Sequence, residues 1–113
     1  MVGRRRTVII KHTVDSFGNE YWYKNNKYER NNGPAVIRSG GNEEWHKNSI
    51  YHRKNEPAII WANGSEYWYK NYSLHRIDGP AAIEPNGSET WSKNDRSYRK
   101  KGPVKILSNG RFW

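Results

Sequence analysis

One feature constrains this chain more than any other: a repeat of 23 residues that runs without an insertion. Glycine marks it at Gly18, Gly41, Gly64, Gly87 and Gly110, tryptophan at Trp22, Trp45, Trp68 and Trp91, and proline at Pro34, Pro57, Pro80 and Pro103. Other columns keep the same step: Glu20/Glu43/Glu66/Glu89, Lys24/Lys47/Lys70/Lys93, Arg30/Arg53/Arg76/Arg99 and Ile37/Ile60/Ile83/Ile106. A gap-free period of this length specifies a stacked array, in which each unit buries its apolar face against the next.

Each unit reads as strand, turn, strand. Asn19 to Lys24 alternate faces, with Glu20, Trp22 and Lys24 on one side and Tyr21 and Tyr23 on the other. A polar break follows at Asn25-Asn26 and its counterparts Asn48-Ser49, Asn71-Tyr72 and Asn94-Asp95. The second strand starts near Pro34-Ala35-Val36-Ile37, where a proline costs no ladder donor. Asn63-Gly64 and Asn86-Gly87 are hairpin-turn signals that lead straight into the next Trp strand. No segment shows a sustained helical period. The expected fold is all-β: an elongated single-layer array of stacked antiparallel hairpins. The expected parts are a basic arm over 1–6 and a single repeat domain over 7–113. Within that domain we expect a cap strand over 7–17, repeats over 18–40, 41–63, 64–86 and 87–109, and a C-terminal cap over 110–113 that covers the last rung.

Leu, Ile, Val and Phe number only 18 of 113 residues, and 20 Lys+Arg against 11 Asp+Glu leave a formal charge of +9. Those figures ordinarily accompany disorder, so the six Trp and eight Tyr must supply the cohesion. Burying one Trp is worth roughly 4–6 kcal/mol at ~25 cal/mol/Å². Trp22, Trp45, Trp68 and Trp91, with Ile37, Ile60, Ile83 and Ile106, are therefore the expected core. The opposite face varies between copies, with Tyr21, Tyr23, Glu44, His46, Tyr67, Tyr69, Thr90 and Ser92. A variable, aromatic face is the expected contact surface, carried by Tyr21, Tyr23, His46, Tyr67 and Tyr69.

The Glu, Lys and Arg columns are expected to form a cross-strand charge ladder, worth about 0.2–1 kcal/mol per pair, with a phosphate-tracking stripe of Arg30, Arg53, Arg76 and Arg99 as the alternative. The remaining basic excess clusters at the ends, in Arg4, Arg5, Arg6 and Lys11 and in Arg96, Arg99, Lys100, Lys101 and Lys105. Such clusters attract something acidic, and Arg99, Lys100 and Lys101 are the expected steering residues. Zero cysteines exclude disulfides and thiolate metal sites. No apolar run approaches the roughly 18–20 residues of a membrane span, and Met1 to Ile10 is too polar for a signal peptide; a cytoplasmic location is expected. There is no His–carboxylate cluster at metal-ligand spacing and no phosphate loop, and the shared column of His52 and His75 reads as turn chemistry. The chain is expected to be no enzyme, with no catalytic residue, metal or cofactor.

The period, the Trp followed by Lys-Asn, then Leu74-His75-Arg76, Asp78-Gly79-Pro80-Ala81 and Asn86-Gly87, resemble the MORN (membrane occupation and recognition nexus) class of repeats. The match is closer to the divergent Trp-Tyr-Lys-Asn…His-Arg-x-Asp-Gly-Pro-Ala arrays of phage and large-virus proteins, and covers 12–113. Arg53 and Arg76 stand where glycine usually follows the histidine. The resemblance implies stacked β-hairpins that serve as scaffolds, dimerisation surfaces or lipid- and protein-binding modules without catalysis. The expectation is a binding module, an inhibitor or adaptor, viral if the resemblance extends to source, acting in a host cytoplasm on a protein or nucleoprotein complex. Direct nucleic-acid binding and anionic-membrane association are the alternatives, and a homodimer through the open sheet edges is a further possibility.

Overall fold

The computed structural model describes residues 8–99 and 102–113. Those residues form sixteen short strands and no helix. The cap strand is β1 (Ile10–Val14). The first unit supplies β2 (Glu20–Lys24), β3 (Lys27–Tyr28) and β4 (Val36–Ile37); the second supplies β5 (Glu43–Glu44), β6 (His46–Lys47), β7 (Ile50–Tyr51) and β8 (Ile59–Ile60). The third holds β9 (Glu66–Tyr67), β10 (Tyr69–Lys70), β11 (Ser73–Leu74) and β12 (Ala82–Ile83). The fourth holds β13 (Glu89–Thr90), β14 (Ser92–Lys93), β15 (Arg96–Ser97) and β16 (Lys105–Ile106). One antiparallel sheet runs the length of the molecule in the order β1-β2-β4-β5-β8-β9-β12-β13-β16. The result is an elongated body of 62 × 39 × 18 Å, the hairpin array that the period predicts.

Each unit also carries a second hairpin that the strand–turn–strand reading missed. β3 returns along the end of β2, and β6–β7, β10–β11 and β14–β15 repeat the motif as separate arms. The polar breaks are their tips. Asn25-Asn26, Asn48-Ser49 and Asn94-Asp95 hold both central residues at φ between 50 and 65°, the mirror-image turn that matches the twist of a two-residue hairpin. The sheet hairpins close differently. At Trp61–Ser65, Gly64 N–H bonds Trp61 C=O and Trp61 N–H bonds Ser65 C=O, with Gly64 in the left-handed region at φ 95°.

The Trp column is the junction between sheet and arm. Trp45 N–H donates to Ala58 C=O in the sheet, while Trp45 C=O accepts from His52 N–H in the arm; Trp22, Trp68 and Trp91 do the same with their equivalents. The strand breaks at Trp45, Trp68 and Trp91 and continues through Trp22.

The buried positions correct the expected core. Ala35, Ala58 and Ala81 are fully enclosed, and Val36, Ile59 and Ala82 follow; the Trp and Ile columns are only half-buried. The register explains why. Glu20, Glu43, Glu66 and Glu89 sit opposite Ile37, Ile60, Ile83 and Ile106, so the Ile face is shared with a carboxylate at every second position and cannot be sealed from water. The other face pairs Tyr21 with Val36, Val36 with Glu44, Glu44 with Ile59, and Ile59 with Tyr67. Here the arms add their own rings, and this is where the apolar interior lies.

The charge ladder is also corrected. Glu residues have Ile rather than Lys as cross-strand neighbours, Lys24 reaches Glu29 at 3.4 Å, and Glu20 meets His12 at 3.2 Å. At the C-terminal end, Trp113 N–H bonds Lys105 C=O and Ile106 bridges Phe112. The backbone of the last rung is thus paired, but the Phe112 and Trp113 side chains stay exposed, at 66% and 62%, rather than covering it. The Arg4-Arg5-Arg6 arm lies outside the described residues.

Candidate recognition surface

Two surfaces flank the array, and each begins with a repeated local device. On the first, every Trp carries an arginine. The guanidinium carbons of Arg30, Arg53, Arg76 and Arg99 lie 3.8, 3.9, 4.0 and 4.0 Å from the ring centroids of Trp22, Trp45, Trp68 and Trp91. Each Nη1–H donates to the carbonyl of the proline four residues on, Pro34, Pro57, Pro80 or Pro103. A glycine floors the guanidinium: a Cβ at Gly33, Gly79 or Gly102 would stand 3.1, 2.6 or 2.9 Å from the arginine Cζ. In the second unit Glu56 occupies that place and instead holds Arg53 in an ion pair at 2.8 Å. The arginine column is therefore a set of clamps, with neither the ladder role nor an open phosphate-tracking stripe.

Arg99 belongs to this set, so its guanidinium is committed to Trp91 and Pro103. Lys100 and Lys101 lie outside the described residues. Trp22 is covered on both faces, since His12 stacks on it at 4.2 Å and 14° opposite Arg30.

Grooves open between successive units along this clamp surface. One, of about 420 Å³, is lined by Lys24, Arg30, Trp45, Lys47, Arg53 and Lys54, with Glu29 as its acid. The next, of about 760 Å³, repeats the lining one unit on, with Arg53, Lys54, Trp68, Lys70 and Arg76, and Asp78 as its acid. Lys47 and Lys70 are exposed and form no ion pair among the described residues. These grooves escaped the sequence reading because the clamps that shape them join residues eight apart. His52 and His75 line the larger groove. His75 Nδ1 accepts from the Asn94 N–H at 3.2 Å, the turn chemistry expected of this column. Burial, then Lys70 and Lys93, hold its pKa below the usual histidine value.

On the second surface the structure brings the expected contact residues together, but against one another. Ring centroids run Tyr23–Tyr28 at 5.2 Å, Tyr28–His46 at 5.3 Å, His46–Tyr51 at 4.7 Å and Tyr51–Tyr69 at 5.1 Å. Tyr21 joins through Tyr28 at 5.9 Å, and Tyr67 packs on Trp61 at 5.5 Å. Tyr28 and Tyr51, supplied by the missed arm strands, are the links of this strip. Burial pushes the phenol pKa values of Tyr28, Tyr51, Tyr67 and Tyr69 up. Burial works in the same direction on Glu44, but bonds from His46 and Arg38 outweigh it and hold that carboxyl below the usual range. Ring contacts here serve cohesion, and the Tyr21 and Tyr67 hydroxyls donate to Asp15 and Glu84.

Among the described residues no group of three or more His, Cys, Asp or Glu side chains could hold a metal ion, and no helix is long and apolar enough to cross a membrane. Comparison with protein-family models, with curated sequences and with solved structures finds no match to this chain.

Proposed function

We propose that this protein is a non-enzymatic binding module, an adaptor or inhibitor, that holds an acidic protein or nucleoprotein against the cationic grooves between its units. The observation that carries the reading is the recurrence of an Arg-Trp-Lys-Arg lining in two consecutive grooves, with five cations around Trp45 and four around Trp68, and with Lys47 and Lys70 unengaged by carboxylates. Equivalent lysines lie two strands apart, on the order of 10 Å, so an extended acidic partner meets one cation per unit. A formal charge of +9 steers such a partner from a distance and makes association fall with salt. Stacking of bases on the indoles fits less well, because each ring already has an arginine on one face and Trp22 is covered on both. The Tyr/His strip adds edge contacts where a partner wraps beyond the grooves.

The test is a titration with poly-glutamate at low and moderate salt. Wild type is expected to bind, more weakly as salt rises, and Lys47→Glu/Lys70→Glu to bind at least about tenfold more weakly. Absence of binding at low salt, or equal binding by the charge-reversed protein, overturns the reading.

A further inference from the structure

The arms are sewn together by their turns, and one seam is missing. Between the first and second arms, Tyr28 N–H donates to Ser49 Oγ at 3.0 Å and Tyr28 C=O accepts from Ser49 N–H at 3.0 Å. Between the third and fourth, Leu74 N–H donates to Asp95 Oδ1 at 2.6 Å and Leu74 C=O accepts from Asp95 N–H at 3.0 Å. A third bond reinforces each seam, from Asn48 N–H to Glu29 and from Asn94 N–H to His75. Tyr72 stands at the equivalent place in the third arm. Its side chain has no short acceptor to turn back, and it does not share the positive φ of Ser49 and Asp95. Among the described residues none of the three bonds is made at this seam, and β7 and β10 meet less closely than β3 with β6 or β11 with β14.

The consequence falls on Tyr51. The Lys47↔Ile50 pair closes its hairpin, so the next residue, Tyr51, turns its N–H and C=O away from β6. In the first and third arms those groups are satisfied by the following turn; here they face a notch. His52 and Asn71, the neighbours of Tyr51 and Tyr72, line the 760 Å³ groove that runs from it. Exposed apolar groups stand beside that groove, Tyr72 at 77% and Ile77 at 64% exposure.

We propose that this notch docks an extended acidic peptide strand. Its backbone takes the Tyr51 N–H and C=O, its carboxylates meet Lys54 and Lys70, and an apolar side chain rests on Ile77. A donor and an acceptor from one residue match the doublet that a peptide strand offers; a nucleic acid satisfies the cations without the doublet. This rests on the reading of the grooves as an acidic-partner surface and narrows it to one seam.

Amide hydrogen exchange by NMR tests it, with the capped peptide Glu-Val-Glu-Val-Glu, poly-glutamate and oligothymidylate as probes. In the unliganded protein Tyr51 is expected to exchange at least about tenfold faster than Tyr28 and Leu74, and to slow when the peptide binds. Tyr72→Ser installs the residue of the first seam without adding charge. It is expected to slow Tyr51 exchange unliganded and to weaken peptide binding at least about tenfold, with poly-glutamate affinity within about threefold of wild type. Tyr51 protection equal to Tyr28 and Leu74 in the unliganded wild type overturns the proposal. So does unchanged exchange in Tyr72→Ser, equal peptide binding by the two proteins, or protection by oligothymidylate in place of the peptide. Failure of poly-glutamate to bind wild type at all removes instead the broader reading of the grooves.

Discussion

The clamp of Arg76 between Trp68 and Gly79 makes a quantitative prediction about coupling. Arg76→Ala removes a cation–π contact worth about 0.5–2 kcal/mol and a charge-assisted bond to the Pro80 carbonyl worth about 1.5–3 kcal/mol. With the group half-exposed, the lower ends of both ranges apply, and the expected loss is about 2–3 kcal/mol. Gly79→Ala leaves the arginine in place but sets a methyl 2.6 Å from its Cζ, so the guanidinium must leave its seat. The expected loss is about 1–3 kcal/mol by overpacking. The three atoms nearest that methyl all belong to Arg76, so once Arg76 is gone the clash is relieved and the double variant should be no less stable than Arg76→Ala alone. The assay is urea denaturation followed by tryptophan fluorescence. At a slope of about 2 kcal/mol/M, Arg76→Ala moves the midpoint by about 1–1.5 M, and the interaction term equals the whole cost of Gly79→Ala. Strict additivity of the two substitutions would refute the clamp.

Two further expectations follow from the buried alanines and from His75. Ala58→Leu, at a fully enclosed position, should cost about 1–3 kcal/mol and lower the thermal midpoint by several degrees; an unchanged midpoint would mean that the rungs are not closely packed there. His75 has a folded-state pKa below its unfolded value, so its contribution is present above the unfolded pKa and is lost as pH falls through the folded one. Protonation also removes the acceptor of the Asn94 N–H. Denaturation midpoints taken from neutral to mildly acidic pH should therefore fall more steeply for wild type than for His75→Gln, and parallel curves would count against that bond.

The period, the all-β character and the hairpin turns were legible because a 23-residue repeat and Asn-Gly pairs are local signals. The arm strands were not, since Lys27–Tyr28 or Ser73–Leu74 are too short to display alternation. Their one cue was the paired Asn-Asn, Asn-Ser and Asn-Asp tips, which tolerate left-handed backbone better than other residues. Indole size outweighed position in the choice of core: the Trp column is half-buried, as is the Tyr/His column. Glu20 and Trp22 lie on one side of the strand, and a side with a carboxylate in every copy is a poor place for a core. The Arg–Trp clamp joins residues eight apart with no periodic signature, although glycine three residues after Arg30, Arg76 and Arg99 was its trace. The Tyr/His side was rightly singled out as aromatic, yet its rings serve cohesion because Tyr28 and Tyr51 arrive on strands that alternation does not reveal.

Every clamp is closed inside its own 23 residues: indole, guanidinium, floor and carbonyl all come from one copy, while neighbours are joined through backbone pairing, turn side chains and the Tyr/His rings. The unit is thus a cassette. Excising or duplicating one whole copy leaves each remaining clamp complete and keeps the sheet's 23-residue register, so array length can change without any clamp being redesigned. Reach along a partner is then set by copy number, and what each copy recognises is set by the few positions, such as Tyr72, that depart from the lattice.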